Sequence, residues 1–368
     1  MRDYYIGLMS GTSSDGVDAA LVEFSPAPRL HTSHFSPYPA GLRAHVLGLA
    51  SGRYANDAID ELGHLDAELG EIFATAALSV IFASGVKLSE IRAIGSHGQT
   101  VRHRPDPPHA FTLQIADPNI IAAQTGLTTV ADFRRRDVAL GGQGAPLVPA
   151  FHQAVFADPG EPRVVANIGG IANITLLPTA EGGVSGFDTG PGNVLMDLWS
   201  NQHLHQPHDV NGEFAATGRI DPGLLQLMLA DEFFRRPPPK STGPERFNHH
   251  WLSHKLAGTT LAAADVMATL CELTARSISD AVTLHAPATK RLLICGGGAH
   301  NRQLLLRLAA HLPELKLEST EAFGIQPDWV EAVAFAWLAR ETLNGRPGNL
   351  PAVTGAREPA ILGAVYHA

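Results

Sequence analysis

Apolar and polar positions along this chain fall into two rhythms, one of period two and one of helical spacing. Residues 4–23, YYIGLMSGTSSDGVDAALVE, read as an apolar strand, a turn of small and hydroxyl residues, and a second apolar strand. Residues 164–177, VVANIGGIANITLL, read the same way, and two such hairpins predict two related domains. Helical spacing predicts a long helix over 62–85 with Gly85 as its C-cap, and further helices over 261–285 and 328–343. Between them lie strand patterns at 91–95, 111–115, 128–133 and 291–295. This alternation is α/β grammar and predicts a duplicated α/β architecture with a cleft between halves. The glycine and proline stretch at 141–149 marks the expected boundary, giving an N-terminal domain 1–148, with 350–368 packing back onto it, and a C-terminal domain 149–349.

Length agrees with that division, since 368 residues exceed what one core usually serves. A formal net charge of −9 argues against general affinity for nucleic acid or anionic membranes, so an anionic substrate needs local donors. The two cysteines, Cys271 and Cys295, make no disulfide framework and fit a reducing cytoplasm. The N-terminal apolar run is too short for a signal peptide and carries Asp3, and no later stretch is expected to approach the ~20 apolar residues of a membrane span.

The familiar nucleotide signatures are missing: there is no G-x-x-x-x-G-K-[ST] and no G-x-G-x-x-G after a strand. Three glycine turns stand as alternatives. Gly11, Thr12, Ser13 and Asp15 offer backbone N–H groups, hydroxyls and a carboxylate able to hold a hydrated Mg²⁺ on a phosphate, although a hairpin loop has the same composition. Gly169, Gly170 and Asn173 form the second turn; the glycosylation sequon at Asn173 is set aside because compartment and strand context are wrong. Gly296, Gly297 and Gly298, followed by a helix starting near Asn301, either let backbone approach a flat ligand or simply form a strand-to-helix corner. In GFDTGPGN, Asp188 sits in a rigid turn before a helix, as a general base would, or as a turn-forming aspartate would. His97, Gln99, Asp132 and Arg134 lie at the ends of strands, where ligands bind in open α/β sheets, although the arginine run at 134–136 also suits a solvated face. Glu331, near the start of an apolar helix, is either a dipole contact or a functional acid. His250 and His254 share a helical spacing, but Trp251 stands where a metalloprotease has Glu, which disfavours metal binding there.

Taken together, GLMSGTSSDGVDAAL, SHGQTVRHRP, QIADPNIIA, TVADFRRRDVALGGQGAPLVP, NIGGIANIT, GFDTGPGNVLMD, PPKSTG, CGGGAHN and PDWVEAVAFAWLA resemble the blocks of the anhydro-N-acetylmuramic acid kinase family, a branch of the sugar kinase, Hsp70 and actin superfamily. The resemblance implies duplicated actin-like, ribonuclease H-like domains. It also implies an ATP- and Mg²⁺-dependent reaction in which O6 of 1,6-anhydro-N-acetylmuramic acid is phosphorylated while water opens the anhydro bridge. By that resemblance Gly11, Thr12, Ser13 and Asp15 form the first phosphate and metal loop, and Gly169, Gly170 and Asn173 the second. Gly296, Gly297, Gly298 and Asn301 belong to the adenosine motif. Asp188 is the base with Glu331 as a supporting acid, and His97, Gln99, Asp132 and Arg134 are sugar contacts. A homodimer is expected. One departure is Pro244, where the family pattern has Arg after KSTG, which puts the loop's role in sugar binding in question.

Overall fold

The computed structural model describes residues 3–11, 13–25, 27–53, 57–179 and 183–368. They divide into two compact units: residues up to Val155 together with Trp329–Ala368, and Phe156–Asp328. The first carries β1 (Tyr4–Met9), β2 (Gly16–Glu23), β3 (Arg29–Pro37) and β4 (Ile91–Ser96), then a detached antiparallel pair, β5 (Gln99–Arg104) and β6 (Phe111–Ile115), then β7 (Thr129–Ala131). The second carries β8 (Arg163–Ile168), β9 (Ile171–Leu177), β10 (Ser185–Pro191), β11 (Arg291–Cys295) and β12 (Lys316–Ser319), and β13 (Ala364–Tyr366) returns to the first.

The two sheets repeat one topology. In the first the order is β13-β7-β4-β1-β2-β3, and in the second β10-β9-β8-β11-β12. Leaving out the edge strand β13, both run third, second, first, fourth, fifth. In each, the first three strands form an antiparallel meander and the next two lie parallel to the first. Duplication is therefore a property of the fold, beyond the likeness of two hairpins, and the chain is a duplicated α/β protein.

Helix Ala58–Ser84 starts where the Asp57 side chain accepts the Ile59 N–H and stops at Gly85, whose φ of 68° a side chain would disfavour. It buries Leu65, Leu69, Phe73, Ala77 and Val80 in the core of the first unit. With a mean hydropathy of 1.4 over its best window it is long and apolar enough to cross a membrane, contrary to the expectation that no stretch comes near that; its packed face is what a core helix shows.

Helix Val330–Leu343 lies against β1 and β4 at close range. A Cβ on Gly7 would overlap the Ala332 carbonyl, and one on Gly95 would overlap that of Phe335, so both glycines are required by the approach. This contact ties the helix to the first unit, whereas the sequence reading ends the C-terminal domain at 349. The expected strand at 128–133 is shorter than its apolar run, because Asp132 takes a left-handed φ of 59° and helix Phe133–Ala139 begins there. Arg134, Arg135 and Arg136 are therefore helical. In the second unit, helix Ala263–His285 packs Val266, Met267, Leu270, Leu273 and Ile278 into the core.

Candidate active site

In the first unit the turn between β1 and β2 is held by side chains from elsewhere in the same unit. Ser10 Oγ stands 2.7 Å from the Gly16 carbonyl and 2.8 Å from Gln99 Oε1. The Tyr38 hydroxyl reaches Ser10 Oγ at 2.9 Å and Gln99 Oε1 at 3.1 Å, and Gln99 Nε2 donates to the Gly11 carbonyl at 3.2 Å. Burial pushes the Tyr38 hydroxyl up to about 12, so it remains a neutral donor. At the tip, Ser13 Oγ donates to Asp15 Oδ1 at 2.8 Å and Arg43 Nε donates to the Ser13 carbonyl. Thr12 lies outside the described residues.

His97 extends this bracing. Its Nδ1–H donates to the Ser10 carbonyl at 3.1 Å, and its Nε2 accepts from Arg134 Nε at 3.1 Å and Nη2 at 2.9 Å. Burial and then the neighbouring guanidinium hold the imidazole well below its usual range, so it is neutral with the proton on Nδ1. Arg134 also donates from Nη1 to the Gly144 carbonyl at 2.9 Å. Burial pulls it down to about 10, against the opposing charges of Glu331 and Asp137. Asp132 is held by the Tyr366 hydroxyl at 3.0 Å and by Arg135 Nε at 3.0 Å.

His97 and Asp132 also line a cavity of about 360 Å³ within the first unit, together with Ser96, Gln114, Asp66, Asp117, Arg135 and Tyr366. Ser96 Oγ and Gln114 Oε1 are buried there with no partner among the described residues, which leaves two polar atoms for a ligand to satisfy. Gln99, expected as a sugar contact, does not line this cavity and is spent on the turn.

The second turn, between β8 and β9, is held by backbone. The N–H groups of Gly192 and Val194 donate to the Gly170 carbonyl, and that of Asn193 donates to the Gly169 carbonyl at 2.8 Å. Asn193 Nδ2 adds a bond to the Ile168 carbonyl at 3.0 Å. Cβ atoms on Gly296 and Gly298 would overlap Asn167 and Ile168, so these two are packing glycines that seat the β11 corner on the β8 end. Gly11, Gly169, Gly170 and Gly297 differ: a Cβ there would meet nothing nearer than 3.6 Å, leaving open backbone for a ligand. Asn301 caps helix Arg302–His311 by accepting the Leu304 N–H at 3.0 Å.

Asp188 lies on β10 opposite Asn173 of β9, at a register shift between Asp188 and Gly190 that re-aims the strand. Its N–H donates to the Lys240 carbonyl at 3.1 Å, and its Oδ2 accepts the Thr242 N–H at 2.9 Å. The KSTG loop therefore orients the carboxylate. Burial pushes Asp188 up to about 6, the Thr242 bond opposes the rise, Glu245 adds to it and Lys240 opposes it. A carboxylate with that affinity is ionised at neutral pH yet more basic than a free one, which suits a general base.

The anhydro-N-acetylmuramic acid kinase family model matches residues 3–368. This chain belongs to the anhydro-N-acetylmuramic acid kinase family. Curated proteins of that name are similar along the whole chain: 53% identical over 99% of this chain and 96% of the relative in Xylella fastidiosa, 54% over 99% and 98% in Xanthomonas axonopodis pv. citri, and 50% over 99% and 98% in Coxiella burnetii. Among solved structures, (R)-2-hydroxyglutaryl-CoA dehydratase component A from Acidaminococcus fermentans aligns over 90% of this chain and 96% of its own at 12% identity, with a TM-score of 0.48, too slight a likeness to bear on activity.

Membership in the anhydro-N-acetylmuramic acid kinase family makes the chain a phosphotransferase that uses ATP. Its residues fit such a ligand: the open glycines offer backbone to phosphate oxygens, and the Asp15 carboxylate stands on an exposed turn. No cluster of three or more His, Cys, Asp or Glu residues able to hold a metal is found among the described residues. Mg²⁺ carried on a nucleotide needs no such cluster, because one or two carboxylates suffice beside phosphate and water. Sequence reading missed Tyr38, Asn193 and the Lys240–Thr242 grip on Asp188. The signal for the last was KSTG itself, whose partner lies 54 positions away.

Proposed function

We propose that this kinase transfers the γ-phosphoryl group of ATP to O6 of 1,6-anhydro-N-acetylmuramic acid while water opens the 1,6-anhydro bridge, giving N-acetylmuramic acid 6-phosphate and ADP in bacterial cell-wall recycling. The observation that carries it is Asp188: a carboxylate pinned through one oxygen by the Thr242 N–H and raised to about 6. The other oxygen accepts a proton from water as the water oxygen bonds to C1. The C1–O6 bond breaks with its electrons going to O6, and O6 attacks the γ-phosphorus as ADP departs. Each half supplies what the other needs, since O6 leaves carbon as the nucleophile for phosphorus.

The remaining roles follow from chemistry. Phosphoryl transfer asks mainly for positioning and charge stabilisation. Gly11, Ser13, Gly169, Gly170 and Gly297 hold phosphate through open backbone and hydroxyl, and Asp15 holds Mg²⁺ through water, which when bound neutralises phosphate charge. The cavity of the first unit takes the polar sugar, with the orphaned Ser96 Oγ and Gln114 Oε1 as its hydrogen-bonding partners. Arg134 and His97 keep that wall and the first phosphate turn in one arrangement, and Glu331 balances the Arg134 charge. We place the reaction in the cytoplasm, where ATP is available.

A coupled ADP assay over amino sugars with and without the anhydro bridge tests this reading. ADP release with the anhydro sugar alone supports it. Equal turnover of N-acetylmuramic acid or glucose would remove the substrate assignment.

A further inference from the structure

The KSTG loop has a second element beyond the Thr242 bond. Lys240 Nζ lies 4.7 Å from the centre of the Phe233 ring and 5.9 Å from that of Phe187, the residue before Asp188. It is 3.3 Å from the Phe233 carbonyl and 3.4 Å from the Phe234 carbonyl. An ammonium half-withdrawn from water among aromatic rings, held by carbonyls and paired with no carboxylate at ion-pair distance among the described residues, is costly. Its own backbone carbonyl accepts the Asp188 N–H, so charge and strand are fixed to each other.

We propose that Lys240 is a positioning residue for the base: its carbonyl fixes the Asp188 backbone, and its ammonium, held over Phe187 and Phe233, favours the charged form of the Asp188 carboxylate. This rests on Asp188 being the base. The charged groups that bear on Asp188 are Lys240, which favours the carboxylate, and Glu245, which disfavours it. Those that bear on Lys240 are Asp188 and His285, whose ring packs edge-on against Phe187 at 5.0 Å. Asn173, across the strand from Asp188, is uncharged. The loop thus sets the base between one cation and one anion of its own, five positions apart in the chain.

The test is the pH profile of kcat/KM for the anhydro sugar in the full-length enzyme. Lys240→Met should move the acid limb up by about 0.2 pH unit or more, while Lys240→Arg, which restores charge, should keep it near the wild-type position. Glu245→Gln, at an exposed position, should move the limb the other way, down by at least as much as Lys240→Met moves it up. An acid limb that stays in place in Lys240→Met, or that moves as far in Lys240→Arg, would overturn the proposal. Should Lys240→Met fail to fold, a Glu245→Gln limb that is unmoved or moves up overturns it instead. Full turnover in Asp188→Asn would remove the base assignment itself, whereas an inactive Asp188→Asn with an unmoved limb in Lys240→Met removes Lys240 alone.

Discussion

The turn between β1 and β2 and the turn between β8 and β9 occupy the same place in two sheets of the same order, yet they are built by different means. The first is held by side chains: Ser10, Gln99, Tyr38 and His97 converge on it from strands and loops up to 89 positions apart. The second is held by backbone, with Gly169 and Gly170 carbonyls receiving N–H groups from 192–194 and two packing glycines from the β11 corner. Duplication preserved the topology and left the means of holding each turn free to differ. A side-chain brace also fixes hydroxyls and a carboxylate in the turn, whereas a backbone brace leaves glycines bare, so the two turns can offer phosphate different kinds of donor.

The largest expected effect separates packed from open glycines. Gly192→Val would drive a Cβ into the Gly169 carbonyl, with the Ala172 nitrogen 3.1 Å away, and should cost about 3 kcal/mol of stability. Gly169→Ala has its nearest neighbour at 3.6 Å and should change stability by less than about 0.5 kcal/mol while weakening ATP. Denaturant unfolding with ATP titration on both variants checks the pair; equal stability losses would erase the distinction.

Next in size, the side-chain brace should fail through Gln99. Gln99→Leu removes the bonds that Gln99 makes to Ser10, Tyr38 and the Gly11 carbonyl, while Tyr38 keeps Ser10 and Ser10 keeps the Gly16 carbonyl; it should cost about 1 kcal/mol and raise KM for ATP several-fold. A KM for ATP equal to wild type would show that the brace does not shape the turn.

The smallest effect is a gain. Burial pushes Asp197, on helix Val194–Leu204 just after the second turn, up to about 7 from 3.8. A raised carboxylate binds more protons folded than unfolded between those values, so its contribution to stability falls as pH rises from about 4 to 7 and then levels off. Asp197→Asn should therefore be more stable than wild type by about 1 kcal/mol or more at pH 8, with the gain shrinking toward pH 4. Thermal unfolding across that range checks it, and a gain independent of pH would contradict the burial account.

What could be read from sequence was local. The β6 strand, the Gly85 stop and the two hairpins follow from spacing and turn chemistry, and the structure places them within a residue or a few of their expected bounds. Asp188 stood out because glycine and proline around an aspartate mark a rigid turn. What could not be read depends on distant partners. Helix Val330–Leu343 joins the first unit because Gly7 and Gly95, more than 200 positions earlier, admit its backbone. His97 and Gln99 lie at a strand end as expected, but their bonds run to Ser10, Gly11 and Arg134, which strand-end position alone does not reveal. Asn301 resembles a motif residue and serves as a helix cap. Asp137 carried no signal in a charge-rich run, yet it is fully buried, accepting from Asn349 and Thr354 at 2.7 Å and from the Gly144 N–H at 2.8 Å, and so ties the glycine loop to the C-terminal segment.

The central claim is that Asp188 is the base of the proposed reaction. Steady-state turnover of the anhydro sugar by Asp188→Asn tests it most directly. The account predicts a loss in kcat of at least ~100-fold with ATP affinity near wild type and an unfolding midpoint at or above it. An Asp188→Asn enzyme that turns over at the wild-type rate would contradict it.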